Sequence, residues 1–189
     1  MLRGLVMVIM ALDHVRDYTN KGYMFVDPTN LDDTTPALFM TRWITHFCAP
    51  VFVFLAGTSA FLYGGKQSSK KSLSKFLFLR GIWLILVELT VVNFSWTFDI
   101  NLSVHIFQVI WAIGICMVLL AGLIYLPKKV LLSLGFLILL GHNLLDGIQA
   151  QGSDPLSILW YFTHQYNFLV INEGNGMLAI AYPFLPWLG

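Results

Sequence analysis

The sequence predicts an all-α, multi-pass transmembrane helical bundle with about five complete spans and the start of a sixth. Three observations predict it. The 189 residues are 57% hydrophobic and only 11% charged, with mean hydropathy +0.73, whereas a soluble domain carries roughly 25% charged residues. Eleven Lys and Arg with ten Asp and Glu do not supply the polar skin that a body this apolar needs in water, so lipid must cover the rest. Five stretches also reach or approach the length of about twenty apolar residues that crosses a hydrocarbon core. The formal net charge of +1 leaves no broad basic surface for counterion release, which excludes a nucleic-acid partner.

The first span is expected from Leu2 to about Tyr18. It follows a single Arg3 and precedes no small-residue cleavage pattern, so it reads as a retained helix rather than a removed signal. The second runs from Ala37 to Tyr63 and contains Pro50, whose missing N–H kinks a helix. Its Gly57-Thr58-Ser59-Ala60 run is a small-residue flank suited to close helix approach. The third covers Phe76–Trp96, the fourth Ile106–Leu126 and the fifth Val130 to about Gln149. The segment from about Ala150 to Met177 holds two apolar pieces, around Leu159 and Leu169, too short to cross and read as interfacial. A sixth span begins near Ala179 and is still apolar at Gly189, so residues 1–189 are expected to be a single domain in an amino-terminal fragment. Cys48 and Cys116 lie inside apolar runs, as buried free thiols do, and no disulfide or metal site is expected from them.

Basic loops stay on the cytoplasmic side. Lys66, Lys70, Lys71, Lys75 and Arg80 surround one link, Lys128 and Lys129 fill another, and Arg3 precedes the first span, which puts the amino terminus in the cytoplasm. Arg16, Lys21 and Arg42 remain on the outer side, together with every acid except Glu88: Asp13, Asp17, Asp27, Asp32, Asp33, Asp99, Asp146, Asp154 and Glu173. All five histidines map to the outer half as well.

Ionisable groups within the hydrocarbon are costly and default to functional candidates. Glu88 lies near mid-membrane in the third span, about 12 Å by helical rise from Arg80, and is a packing or a catalytic, proton-relay carboxyl. His142 and Asp146 are four apart, so on one α-helix the carboxylate faces and orients the imidazole. His46 precedes the Pro50 kink and is the leading candidate base. Asp13 and His14 end the first span, on different faces of the helix. His105 and Gln108, three apart at the mouth of the fourth span, share a helical face and are candidate substrate contacts, as is Arg42. His14, His46, His105 and His142 are expected to line one outward-opening cavity.

Several motifs together carry a resemblance. They are the Arg3-Gly4 helix ending in Asp13-His14, the run Pro50-Val51-Phe52-Val53-Phe54-Leu55-Ala56-Gly57-Thr58-Ser59, Gln108-Val109-Ile110-Trp111, His142-Asn143-Leu144-Leu145-Asp146, and Tyr182-Pro183-Phe184-Leu185-Pro186-Trp187. Across nearly the whole chain the sequence resembles the DUF1624 membrane proteins, relatives of the heparan-alpha-glucosaminide N-acetyltransferase catalytic domain within the transmembrane acyltransferases. The resemblance implies a bacterial inner-membrane enzyme that moves an acetyl group from cytoplasmic acyl-CoA to a sugar amine or hydroxyl on the outer side. A histidine would act at the outer-facing site, and acetyl-CoA would serve as co-substrate. Two other classes fit the residues alone. A proton-coupled transporter would use Glu88 and the histidines as a relay, and a haem-b protein would pair histidines such as His46 with His142 or His105 across facing helices.

Overall fold

The computed structural model describes residues 1–19, 34–101, 103–171 and 176–189. Lys21, Asp27, Asp32, Asp33 and Glu173, which the sequence assigns to the outer side, lie outside the described residues. The chain forms two compact units, Met1–Ser59 and Ala60–Gly189, and each is described by itself.

The first unit holds α1 (Leu2–Thr19), α2 (Pro36–Thr45) and the opening turns of α3 (Cys48–Gly64). Thr35 caps α2, its hydroxyl accepting the Leu38 N–H at 3.3 Å, and Pro36 occupies the first turn, where a missing N–H costs nothing. The second expected span is therefore two helices, broken at His46-Phe47. Pro50 explains the break, since it offers no N–H to the carbonyl of His46 four residues earlier and its ring crowds that carbonyl. Within this unit Arg3 donates to the Ser59 hydroxyl at 3.0 Å, and the Cys48 thiol faces the Val6 carbonyl at 3.8 Å.

The second unit is built on α4 (Lys70–Val87) packed against α6 (Val109–Leu123). Ser69 caps α4 by accepting the Ser72 N–H at 3.2 Å, so this helix starts six residues before the expected Phe76. Ala60, Leu77, Met117 and Ala121 form its buried seam. The two helices approach closely at Gly81 and Gly114, where a Cβ on Gly81 would lie 2.6 Å from the Gly114 carbonyl oxygen. The small-residue flank of the second span does not serve that purpose throughout: Gly57 faces open space, and Ala60 alone of that run joins the seam.

After α4 the helix widens into a π-turn, Glu88–Val92, and continues as α5 (Asn93–Thr97). Three strands follow among the helices, and they correct the sequence reading. Strand β1 (Val104–Phe107) occupies the expected start of the fourth span, β2 is Asn167–Ile171, and β3 (Gly176–Ile180) replaces the expected start of the sixth. The sheet order is β1-β3-β2. Strand β1 runs parallel to β3, from Val104 opposite Met177 to Phe107 opposite Ile180, and β2 is antiparallel to β3. Short apolar runs do not distinguish a strand from part of a buried helix by periodicity. Phe107, Tyr161, Leu169 and Ile180 close a second core between the sheet and α8 (Pro155–Thr163), where Phe107, Trp111 and Phe162 meet edge to face. Helix α7 (Lys128–Gly141) passes into a 3-10 turn, His142–Leu145, and α9 (Leu185–Leu188) ends the described chain.

Three helical stretches, Pro36–Gly64, Lys70–Thr97 and Lys128–Leu145, are long and apolar enough to cross a membrane. At 15 residues α6 is shorter, roughly 22 Å by helical rise, and α1 carries Arg3, Asp13, Arg16 and Asp17. The fold is helical, as expected. The many exposed large apolar side chains, such as Phe54, Phe61, Trp83, Leu137 and Leu140, are what a lipid-facing surface requires.

Candidate functional site

The expected site residues fall in three places. In the first unit, Asp13 is the centre of a polar cluster between α1 and α2. Its Oδ1 accepts the Thr45 hydroxyl at 2.6 Å and pairs with Arg16 at 2.5 Å, while Oδ2 faces Arg42 at 3.6 Å. Thr45 is buried, and the Asp13 side chain is mostly so. Two guanidiniums and a hydroxyl therefore occupy this carboxylate, an arrangement that suits an anchor for Arg42. His14 follows on the next face of α1, partly buried. His46 is exposed at the helix break and lines a shallow apolar groove with Phe39, Arg42, Trp43 and Phe47. Among the described residues its imidazole makes no hydrogen bond.

In the second unit, Glu88 is fully buried at the start of the π-turn. Its Oε1 accepts the backbone N–H of Gln108 at 2.9 Å, and the N–H of Trp111 lies near the same carboxyl. Gln108 is the N-cap of α6 and offers no side-chain cap of its own, so Glu88 supplies the cap from another helix. The neighbouring Asn93 completes the joint. Its Oδ1 accepts the Ile106 N–H at 2.6 Å, and its Nδ2 donates to the Ile106 carbonyl at 3.2 Å and to the Glu88 carbonyl at 2.7 Å. This clamp pins strand β1 and the start of α6. His105 consequently lies on a strand and Gln108 at a helix cap, and the two do not share the helical face their spacing suggests.

The third place is the end of α7. The His142 Nδ1 lies 3.0 Å from the Ile138 carbonyl and 3.1 Å from that of Leu139. Carbonyl oxygens only accept, so Nδ1 carries a proton, and the neutral ring has its lone pair on Nε2, for which no hydrogen bond is made among the described residues. Asp146 does not orient His142 as the i, i+4 spacing predicts. The chain is a 3-10 turn here, and at three residues per turn the fourth residue is rotated about 120° away. The Asp146 Oδ1 is instead bonded to Nε2 of His164 at 3.0 Å, a residue that sequence spacing alone does not connect to it. The His164 ring is 5% exposed, its Nδ1 is buried with no hydrogen-bond partner among the described residues, and its centroid lies 6.4 Å from that of His142.

Side chains of three residues staple the segment after Asp146 to α8 and the turn that follows it. The Trp160 indole donates to the Ile148 carbonyl at 3.0 Å, and the Tyr161 hydroxyl to that of Gly152 at 2.9 Å. The Gln165 amide exchanges two bonds with the backbone of Ala150. Asp154 caps α8 by accepting both the hydroxyl and the N–H of Ser157, at 2.5 and 3.1 Å, and the hydroxyl bond foremost holds its carboxyl below the usual carboxylate range.

Histidines expected to share one cavity are divided between the units, His14 and His46 in one, His105 and His142 in the other. Among the described residues no group of three or more His, Cys, Asp or Glu side chains is arranged to hold a metal ion.

Among curated proteins and among solved structures, none matches the chain. The sequence model of one family, described as heparan-alpha-glucosaminide N-acetyltransferase, catalytic, matches residues 1–189. With helices long and apolar enough to cross a bilayer and a match over its full length, the chain is an integral membrane protein that belongs to the heparan-alpha-glucosaminide N-acetyltransferase catalytic-domain family.

Proposed function

We propose that the protein is a membrane acyltransferase that moves the acetyl group of cytoplasmic acetyl-CoA to an amine or hydroxyl of a saccharide acceptor on the outer side, with His142 as the general base. Membership of the acetyltransferase family supports the reaction class. The observation that carries the choice of base is the pair of backbone carbonyls on Nδ1 of His142. A general base must present an unprotonated nitrogen in a fixed direction, and these carbonyls fix both the tautomer and the ring. His46, the leading candidate from the sequence, has no hydrogen bond among the described residues that orients its ring.

In this reading the His142 Nε2 takes the acceptor proton as the acceptor oxygen or nitrogen attacks the thioester carbonyl. The new bond to the acetyl carbon forms, the carbon–sulfur bond breaks, and the leaving thiolate takes the proton back from the imidazolium to become the CoA thiol. The Ile138 and Leu139 carbonyls, at the negative end of the α7 dipole, face the positive charge that the ring carries in between. Cytoplasmic placement of the amino terminus follows from the basic loops. Those lysines are accounted for by orientation alone, so no CoA-phosphate contact is assigned to them.

The experiment is acetyl transfer from labelled acetyl-CoA to an amino sugar by purified protein, comparing wild type with His142→Ala and His46→Ala. Loss of transfer on removal of His142, with His46→Ala retaining most of it, is the expected result. The opposite ranking would move the base to the first unit, and transfer by neither variant nor wild type would remove the reaction class.

A further inference from the structure

We infer that the groove at the break between α2 and α3 binds an anionic phospholipid, with the Arg42 guanidinium on the lipid phosphate and the acyl chain along Phe39, Trp43 and Phe47. The inference does not depend on the reaction proposed above. Five residues line the groove, Phe39, Arg42, Trp43, His46 and Phe47. Phe39 and Trp43, like Arg42 and His46, are four apart and so follow one another along the same side of α2. Phe47 closes the row edge to face with Trp43, at a centroid distance of 5.5 Å. A cation and an imidazole thus run beside three aromatic rings.

Arg42 has binding capacity to spare. Its side chain is 34% exposed, and its guanidinium faces Asp13 Oδ2 at 3.6 Å, beyond hydrogen-bond distance. That carboxylate is already engaged by Arg16 and by the Thr45 hydroxyl. It holds Arg42 in place without satisfying it, and among the described residues no N–H of this side chain makes a hydrogen bond. A guanidinium with its fork open matches a phosphate in both charge and shape. His46 is exposed beside it, and either neutral tautomer of its ring has one N–H to give a second phosphate oxygen.

Depth selects a lipid over a dissolved anion. The apolar stretch Pro36–Gly64 has 29 residues, roughly 43 Å by helical rise, against a hydrocarbon core of about 30 Å. With Gly64 at one boundary, next to the basic Lys66, the other falls about twenty residues earlier, near Ile44. Arg42 and His46 flank that level, where exposed Trp side chains such as Trp43 collect against headgroups. A free phosphate would use the cation and leave the aromatic walls bare, whereas a phospholipid covers both. The headgroup is anionic rather than zwitterionic, because an ammonium placed here would face Arg42, and the Asp13 carboxylate is engaged.

The experiment uses the full chain in phosphatidylcholine vesicles with a fixed fraction of brominated lipid, either phosphatidylglycerol or phosphatidylcholine. Bromine on an acyl chain quenches an indole that it touches, and the difference between wild type and Trp43→Phe isolates the share of Trp43 among the six tryptophans. Brominated phosphatidylglycerol is expected to quench Trp43 with an apparent affinity about fivefold above that of brominated phosphatidylcholine, the scale of one basic residue facing an anionic lipid. Arg42→Gln is expected to bring the two lipids to parity, and Arg42→Lys, which keeps a cation beside Asp13 but loses the fork, to an intermediate preference. Lys71→Gln, at the exposed start of α4, is expected to behave as wild type. Inorganic phosphate at matched ionic strength is expected not to displace the lipid. Equal quenching by the two lipids in wild type, a preference that survives Arg42→Gln, or one lost equally with Lys71→Gln would each overturn the site. Displacement by inorganic phosphate would make it a site for a free anion and overturn the lipid assignment. The wild-type ratio decides even where Arg42→Gln fails to fold.

Discussion

The Glu88 carboxyl caps a helix to which it does not belong, its Oε1 accepting the Gln108 N–H at 2.9 Å where α6 begins. Intramembrane acids are usually sought for charge transfer, yet this one does the work of an N-cap serine, reaching across from the π-turn. Glu88→Ala would leave the part-buried Gln108 N–H without its acceptor, at a cost of about 1–3 kcal/mol. Glu88→Gln keeps an acceptor oxygen and is expected to lose much less. Thermal unfolding in detergent separates the two: equal destabilisation by both variants would show that the acid itself, rather than an acceptor, is required.

Close packing of α4 on α6 gives a second expectation. A Cβ at Gly81 would meet the Gly114 carbonyl oxygen at 2.6 Å and Val118 Cγ2 at 2.7 Å, and one at Gly114 would meet the Gly81 oxygen at 2.9 Å. Backbone atoms cannot swing aside, so Gly81→Ala and Gly114→Ala are each expected to destabilise by about 1–3 kcal/mol. Gly122→Ala, which meets nothing within 4 Å, is the control and should unfold close to wild type. Denaturation midpoints of the three variants check this.

Acid should loosen α8 through Asp154. Hydrogen bonds from Ser157 lower the folded-state pKa of this carboxyl, so its contribution is complete above the unfolded value of about 3.9 and is lost as pH falls through the lower folded value. Hydrogen exchange at α8 amides is expected to accelerate in that acid window, and Ser157→Ala should bring the acceleration to higher pH. An exchange profile unmoved by Ser157→Ala would contradict the cap.

The helices were legible in the sequence because their lengths and composition are dictated by the hydrocarbon. Pro50 was legible as a kink in the second span, whereas the break into two helices and the Thr35 cap before Pro36 were not read from the sequence. Nor was the sheet. Val104–Phe107 and Gly176–Ile180 pair across about seventy residues, and each alone is an apolar run that continues toward a helix. The candidate site was half legible. His142 and Asp146 are visible as a spacing, but the spacing assumes an α-helix, and the 3-10 turn hands the carboxylate to His164. That partner becomes visible only when α8 folds back along the segment after α7. Glu88 stood out by depth alone, and its actual neighbour, a backbone N–H, leaves no trace in a side-chain pattern.

Sided acetyl transfer tests the account most directly. Protein reconstituted in sealed vesicles, with labelled acetyl-CoA confined to the face bearing Lys66–Lys75 and an amino sugar confined to the face bearing Ser153, is expected to yield labelled N-acetyl sugar on the acceptor side. The label should be abolished in His142→Ala vesicles of equal protein content. Vesicles that yield no acetylated sugar, or that acetylate it only when both substrates share one face, would contradict transfer across the membrane by this chain.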